Sequence, residues 1–294
     1  MGNTSTFAAF ARAHGLLVEH AIADGRWHRT RTADKRKSRR NGAYMLLGDR
    51  GAVRNWATMQ GYAIWRSGKP MSPVDDAAMR RLMLRAARDE RERHERAAQT
   101  ADDMLRRATP IVPRPANGRR AAVHTHPYLV RKGHPQAPCL VLDGLLLVPM
   151  RDVVTDQLVG MQTIAEDGRK LFIPGSRARG AVYRLGRGRE TWLCEGLATA
   201  LSVDAALVAL YRRADVLVCF SAGNLATVAP QVRGPAYVVA DHDASGAGQT
   251  AARATRLPWV MPPQPGEDAN DLHLRSGLRA VCEMLQAVGA GNGA

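Results

Sequence analysis

The stretch that decides the fold is residues 190–243, ETWLCEGLATALSVDAALVALYRRADVLVCFSAGNLATVAPQVRGPAYVVADHD, followed by ASGAGQ (244–249) and PGEDANDLH (265–273). Short apolar runs alternate here with helical ones. Thr191–Cys194 reads as a strand, Leu197–Tyr211 as a helix, Asp215–Phe220 as a strand and Leu225–Val228 as a short helix. Ala236–Ala240 is a strand, Gly246–Arg256 a helix, Trp259–Met261 a short strand and Leu278–Val288 a last helix. Strand–helix alternation at this spacing predicts a parallel α/β sheet.

Ligands of such sheets bind beyond the carboxyl ends of the strands. Three acidic features fall there. Glu195 follows TWLC directly and precedes Gly196 and a helix. Asp241 and Asp243 flank His242 directly after AYVVA. The loop PGEDANDLH adds Glu267, Asp268 and Asp271. Two like charges placed close together repel, and a divalent cation resolves the repulsion. Mg²⁺ suits one or two carboxylates supplemented by substrate phosphates and water.

Outward from this stretch the text changes character. Leu140–Met150 is an apolar run broken by Asp143-Gly144, and Gln157–Ile164 and Lys170–Ile173 read as strands joined by Glu166-Asp167-Gly168. This predicts a small antiparallel meander. Residues 108–122, with Pro110, Pro113, Pro115 and Gly118, read as a linker and domain boundary. A long helix precedes it, with Ser72 as cap, Pro73, Asp75 and Asp76 in the first turn, and an extent to about Arg107. Its middle, RDERERHERAAQTADD, is polar all round, as a solvated connector is. Residues 4–21 read as helix, with Gly15 ending a first segment, and residues 26–66 as short strands at Arg26–Thr30, Ala43–Leu47 and Asn55–Thr58.

The segments LCEGLATALS, FSAGNL, VVADHDASGAGQ and PGEDANDLH together resemble a Toprim domain over residues 190–285. This is the metal-binding fold shared by bacterial-type primases, type IA and II topoisomerases and some nucleases. The resemblance implies a Rossmann-like parallel sheet in which Glu195, Asp241 and Asp243 are catalytic. The same three, with Asp268 and Asp271, would bind Mg²⁺ or Mn²⁺. LLLVPMRDVVTDQLVGMQTI, GRKLFIPGS and AVYRLG resemble the segment ahead of Toprim in DnaG-type primases, and HPYLVRKG is similar to phage and plasmid primases. These likenesses imply nucleotide or template contacts at Lys170, Gly196, Asn224, Arg131 and Lys132. The zinc ribbon usual in such primases is missing from the pattern, since residues 1–138 contain no Cys. The four cysteines, Cys139, Cys194, Cys219 and Cys282, read as small buried hydrophobes.

Charge adds a second clue. The chain of 294 residues has a formal net charge of +15. Residues 1–120 hold 25 Lys and Arg against 12 Asp and Glu, whereas residues 121–294 hold 17 against 15. Arg29, Arg31, Lys35, Arg36, Lys37, Arg39 and Arg40 are interleaved with Trp27 and Trp56. Basic charge answers phosphate and aromatic faces stack on unpaired bases, so this region reads as DNA-binding. An arginine-rich surface over a small aromatic core gives the same pattern.

The expected architecture is therefore α/β in four parts. These are a basic α+β nucleic-acid-binding module (1–70), a long helix and linker (71–122), a primase-like antiparallel subdomain (123–189) and a Toprim domain (190–294). The expected function is that of a DNA primase, a nucleotidyltransferase making short RNA primers on single-stranded DNA from NTPs in phage or plasmid replication. A replicative helicase would act in trans. A Toprim metal-dependent nuclease and a non-catalytic single-stranded-DNA-binding accessory protein are the alternatives. No run of eighteen apolar residues suggests a membrane span and MGNTSTFAAFARAHG does not read as a secretory signal, so a cytoplasmic setting in a bacterial host is expected.

Overall fold

A computed structural model of the chain describes residues 3–33, 41–56, 58–59, 61–68, 73–111 and 125–288. Two compact units divide it, Met1–Glu90 and Arg91–Ala294. The division falls inside a helix and not at the proline-rich segment, part of which, 112–122, lies outside the described residues together with Ser72.

The first unit contains α1 (Asn3–Ala13), β1 (Leu16–Leu17), β2 (His28–Thr32), β3 (Gly42–Leu47), β4 (Arg50–Asn55), β5 (Ala63–Arg66) and the front of α2 (Pro73–Arg107). Its five strands form an antiparallel sheet in chain order. Successive side chains of a strand point to opposite faces. Tyr44 and Leu46 of β3 accordingly pack with Phe7 and Ala11 of α1, while Met45 packs with Met79 of α2. Both faces are covered, which is why GAYMLL carries no polar alternation. The strand expected at Asn55–Thr58 lies earlier, at Arg50–Asn55, because Gly48-Asp49 makes the turn.

The second unit continues through β6 (Thr109–Pro110), α3 (Pro127–Arg131), β7 (Leu140–Leu142), β8 (Leu145–Asp152), β9 (Leu158–Ile164), β10 (Lys170–Phe172) and β11 (Ala181–Leu185). Then come β12 (Glu190–Cys194), α4 (Leu197–Ala209), β13 (Ala214–Val218), α5 (Ala222–Val228), β14 (Ala236–Val239), α6 (Ala247–Thr255), β15 (Trp259–Val260) and α7 (Ala269–Gln286). The sheet order is β10-β9-β8-β11-β13-β12-β14-β15, with β7 beside β8. β13, β12, β14 and β15 are mutually parallel. β11 runs antiparallel to both β8 and β13, so the meander and the parallel strands form one continuous mixed sheet.

The parallel part is a three-layer sandwich. Trp192 and Cys194 face Leu197, Leu201, Leu272 and Val281 of α4 and α7, whereas Leu193, Leu217 and Val238 face Leu225, Val228 and Ala252 of α5 and α6. α4 is buried nearly all round, as a helix apolar on every face must be. On the meander, Leu147 and Met161 meet Ala101 and Met104 of α2, while Leu146, Val148 and Ile164 join the main core. Cys139, Cys194 and Cys219 are buried free thiols.

The last helix begins at Ala269, nine residues earlier than its apolar pattern indicates. Asp268 accepts hydrogen bonds from the Asn270 and Asp271 amides, and Asp271 reaches back to the Asp268 amide, a reciprocal cap that starts a helix in polar sequence. Gly277, at φ 80, kinks it where the apolar stripe begins.

Candidate active site

β12 lies between β13 and β14, so the chain leaves it in one direction and returns on its other side. Such a switch point opens a crevice at the strand ends. Cys194 pairs with Val239, which sets the ends of β12 and β14 level. Glu195 follows the first and Asp241 lies two residues past the second. The crevice here is a pocket of about 390 Å³, lined by the carboxylates Glu195, Asp241, Asp268 and Asp167 and by the cations Arg131, Lys132 and Lys170.

Asp241 carries the strongest electrostatic signature. Its Oδ1 is buried without a hydrogen-bond partner among the described residues. Burial, reinforced by Glu195 and Asp268 and opposed by Lys170, pushes its carboxyl up to about 7. The chain must pass very close to it. A Cβ on Gly248 would fall 2.2 Å from the Asp241 carbonyl oxygen, so only glycine lets α6 start there.

Lys170 reaches the pocket from β10. Its Nζ lies 5.9 Å from the centre of the Tyr128 ring, and a Cβ built on Gly196 would stand 3.6 Å from it. The ammonium is therefore seated over the glycine that follows Glu195. Enclosure pulls its pKa below the usual lysine value, and Asp268, Asp241 and Glu195 oppose that pull. Arg131 and Lys132 come from the end of α3. Arg131 donates to the Glu166 carbonyl, Lys132 stands 3.5 Å from Asp271, and the Lys132 carbonyl accepts from Asn270 Nδ2 at 2.8 Å.

Other residues expected at the site stand elsewhere. Asp243 does not share the pocket with Asp241. β14 ends at Val239, so strand alternation no longer aligns the two. Asp243 instead accepts from the Ser245, Ala247 and Gly248 amides, which, with the Ser245 hydroxyl, hold its carboxyl down to about 2. Asp271 is occupied by the α7 cap and Lys132. Asn224 is buried and spends its amide on Gly180, Ala181 and Cys219 backbone, clamping β11 to the end of β13. His242, never assigned to the site, turns to the Pro262 carbonyl at 2.9 Å. Tyr128, Gln162, Thr199 and Phe220 also line the pocket, and no local sequence pattern marks them.

Among the described residues no three His, Cys, Asp or Glu side chains converge as a ready-made metal cluster. The donor chemistry nevertheless fits a divalent cation. Carboxylate oxygens are hard ligands, and the unpartnered Asp241 oxygen, near Glu195 and Asp268, is the atom such an ion would satisfy.

In the first unit, Arg29 lies over Trp56 at 4.1 Å, Trp56 is 41% exposed, and Arg31 is exposed. Trp27 is packed against Tyr62 at 5.0 Å beside the Met45 layer. Lys35, Arg36, Lys37, Arg39 and Arg40 lie outside the described residues.

Residues 190–278, in the C-terminal part of the second unit, match the Toprim domain family. The chain is also similar to DNA primase TraC of Escherichia coli, at 28% identity over 266 residues, covering 81% of this chain and 23% of that protein. It spans about a quarter of that relative's length. Among solved structures, the primase fragment of the bacteriophage T7 primase-helicase protein aligns at 18% identity and TM-score 0.38, covering 50% of this chain and 65% of that one. The DnaG catalytic core aligns at 16% identity and TM-score 0.35, covering 49% and 53%.

Proposed function

We propose that this chain is a primase that joins nucleoside triphosphates into short RNA primers on single-stranded DNA, in phage or plasmid replication. One observation carries the reading: the carboxylates Glu195, Asp241 and Asp268 and the cations Lys170, Arg131 and Lys132 line the same pocket. A triphosphate with its accompanying cation has the charge distribution that such a pocket complements. The Toprim match and the likeness to a DNA primase support it.

In this reading Asp241, joined by Glu195 or Asp268, would hold Mg²⁺ or Mn²⁺ together with substrate phosphates and water. When bound, the ion would supply charge stabilisation to phosphoryl transfer. Lys170, fixed over Gly196, meets the phosphate oxygens, and Arg131 and Lys132 extend that contact along the triphosphate. Glu195, directly past the end of β12, holds the ion or takes the proton of the 3′-hydroxyl that attacks the α-phosphate. Pyrophosphate leaves with its charge met by Lys170, Arg131 and Lys132. The first unit holds template through Arg29, Arg31 and Trp56 and the basic residues from 35 to 40. A replicative helicase acts in trans, in the cytoplasm of a bacterial host.

The test is incorporation of labelled NTPs on varied single-stranded templates with Mg²⁺ or Mn²⁺, using Glu195→Gln as control. Oligonucleotide made by the parent chain and lost in the variant is the expected result. No product on any template, or product unaffected by the substitution, would sink the reading.

A further inference from the structure

The pocket has a wall that phosphate and cation leave unused. β9 and β10 pair so that Phe172 stands opposite Gln162. Lys170 and Phe172 are two residues apart on a strand and share a face, to which Gln162 also belongs. Gln162 lines the pocket and is 7% exposed, yet its carboxamide has no hydrogen-bond partner among the described residues. The carboxamide is open to the cavity, so its donor and acceptor atoms are available to a ligand that enters it.

Phe172 is 43% exposed, and its ring meets that of Phe220 edge-on at 6.0 Å and 78°. Phe220 lines the same pocket from the end of β13, where its φ of 67 places it in the left-handed region that aromatic residues avoid. The backbone at a strand end is thus held in a sparsely populated conformation at the pocket wall. An exposed ring, a second ring at the cavity edge and an unpartnered carboxamide adjoin the cations that meet phosphate. A nucleotide carries a flat, hydrogen-bonding base one ribose away from its phosphates, and so spans both regions.

We infer that Gln162, Phe172 and Phe220 form a nucleobase subsite beside the polyphosphate region. The inference rests on reading the pocket as a nucleotide site. The rings offer stacking surface, which tolerates any base, and the carboxamide, donor and acceptor at once, meets the base edge. The base belongs to the incoming nucleotide or to the template, and the experiment separates the two.

Calorimetric titrations with Mg²⁺ throughout would compare ATP, inorganic tripolyphosphate, a thymidine oligonucleotide and an abasic oligonucleotide of equal length. Phe172→Ser and Gln162→Leu are expected to weaken ATP binding about tenfold and leave tripolyphosphate unchanged, while Phe172→Trp retains affinity. The same loss confined to the thymidine oligonucleotide, with the abasic strand unaffected, assigns the subsite to a template base. Unchanged affinity for both base-bearing ligands, or equal losses for tripolyphosphate and abasic strand, overturns the inference. Phe172 is exposed, so its variants decide the matter even if Gln162→Leu folds poorly. Incorporation by the parent chain is scored separately. Base-dependent losses in a protein that makes no primer would retire the primase reading and leave the subsite, whereas primer synthesis without such losses does the reverse.

Discussion

Ser202 Oγ lies 3.0 Å from His134 Nε2, inside the core next to the pocket. The same hydroxyl meets His273 Nδ1 at 3.1 Å and accepts from Asn270 Nδ2 at 3.1 Å. A hydroxyl has one proton and two lone pairs. Asn270 fills one lone pair, so one imidazole donates and the other accepts, and two imidazolium ions have no place.

Burial and His273 hold the His134 pKa down to about 4, against an ordinary 6.5. The folded chain refuses a proton that the unfolded chain takes up below pH 6.5. Stability is therefore complete above that value and declines as pH falls toward 4, by roughly 1–3 kcal/mol from this group. Thermal unfolding between pH 7 and 4 should show the decline, and His134→Gln should flatten it. Identical slopes in both proteins would place the acid sensitivity elsewhere.

Asp241 gives the opposite slope. Its folded pKa of about 7 lies above the ordinary 3.8, so ionising it costs stability increasingly from pH 4 to pH 7. Asp241→Asn removes the buried charge. In chelator-treated protein the variant should be more stable at pH 8 by roughly 1–3 kcal/mol, with the gain gone at pH 4. It should also fail to incorporate nucleotides. A variant less stable than the parent at pH 8 would contradict the burial argument.

Lys170→Met keeps the stem and removes the charge over Gly196. Nucleotide KM should rise about tenfold or more, the scale of one charge-assisted contact, with a smaller fall in kcat. The Asp241 carboxyl, losing the cation that opposes its protonation, should titrate higher still. A loss confined to kcat would move Lys170 from substrate binding to the chemical step.

Gly248→Ala forces a methyl to within 2.2 Å of the Asp241 carbonyl oxygen. The clash is with backbone, so α6 must shift. A destabilisation of about 2–4 kcal/mol is expected, and activity should fall with it. Unfolding midpoints measured alongside incorporation would check both. An alanine variant of parental stability would mean that the approach of α6 to β14 is looser than it stands here.

In the first unit, Trp56→Ala should cost about 1–2 kcal/mol of single-strand affinity, and Arg29→Ala should reduce the salt dependence of binding by about 0.7 in log–log slope. Titrations of a fluorescent oligonucleotide at several salt concentrations measure both. If neither variant differs from the parent, the +15 charge is not expressed through this face.

How much could be read beforehand depended on how local the cause was. Glu195 and Asp241 were legible because strand ends follow from alternation, and ligands gather at strand ends. Asp243 and Asp271 were legible as acids but not as acceptors for the turn ahead of α6 and the cap of α7, since those roles depend on where α6 and α7 begin. The start of α7 was hidden because a capping box, not an apolar stripe, creates it. Gln162, Phe172 and Phe220 were illegible together. Their proximity depends on β11 joining the meander to β13, a pairing between segments with no shared motif. The division of the chain at Glu90 was hidden for a similar reason. Arg54 pairs with Glu90 at 2.7 Å, and Met79 fills the sheet, tying the front of a helix that reads as a solvated connector to the first unit.

Asp268 lines the pocket and is at once the N-cap of α7. An oxygen that turns toward an incoming ligand is drawn from the Asn270 and Asp271 amides, and a ligand that leaves the cap intact tightens them. Either way, occupancy of the pocket becomes readable as altered amide-proton exchange at two positions of one helix end, without any need to follow the reaction itself.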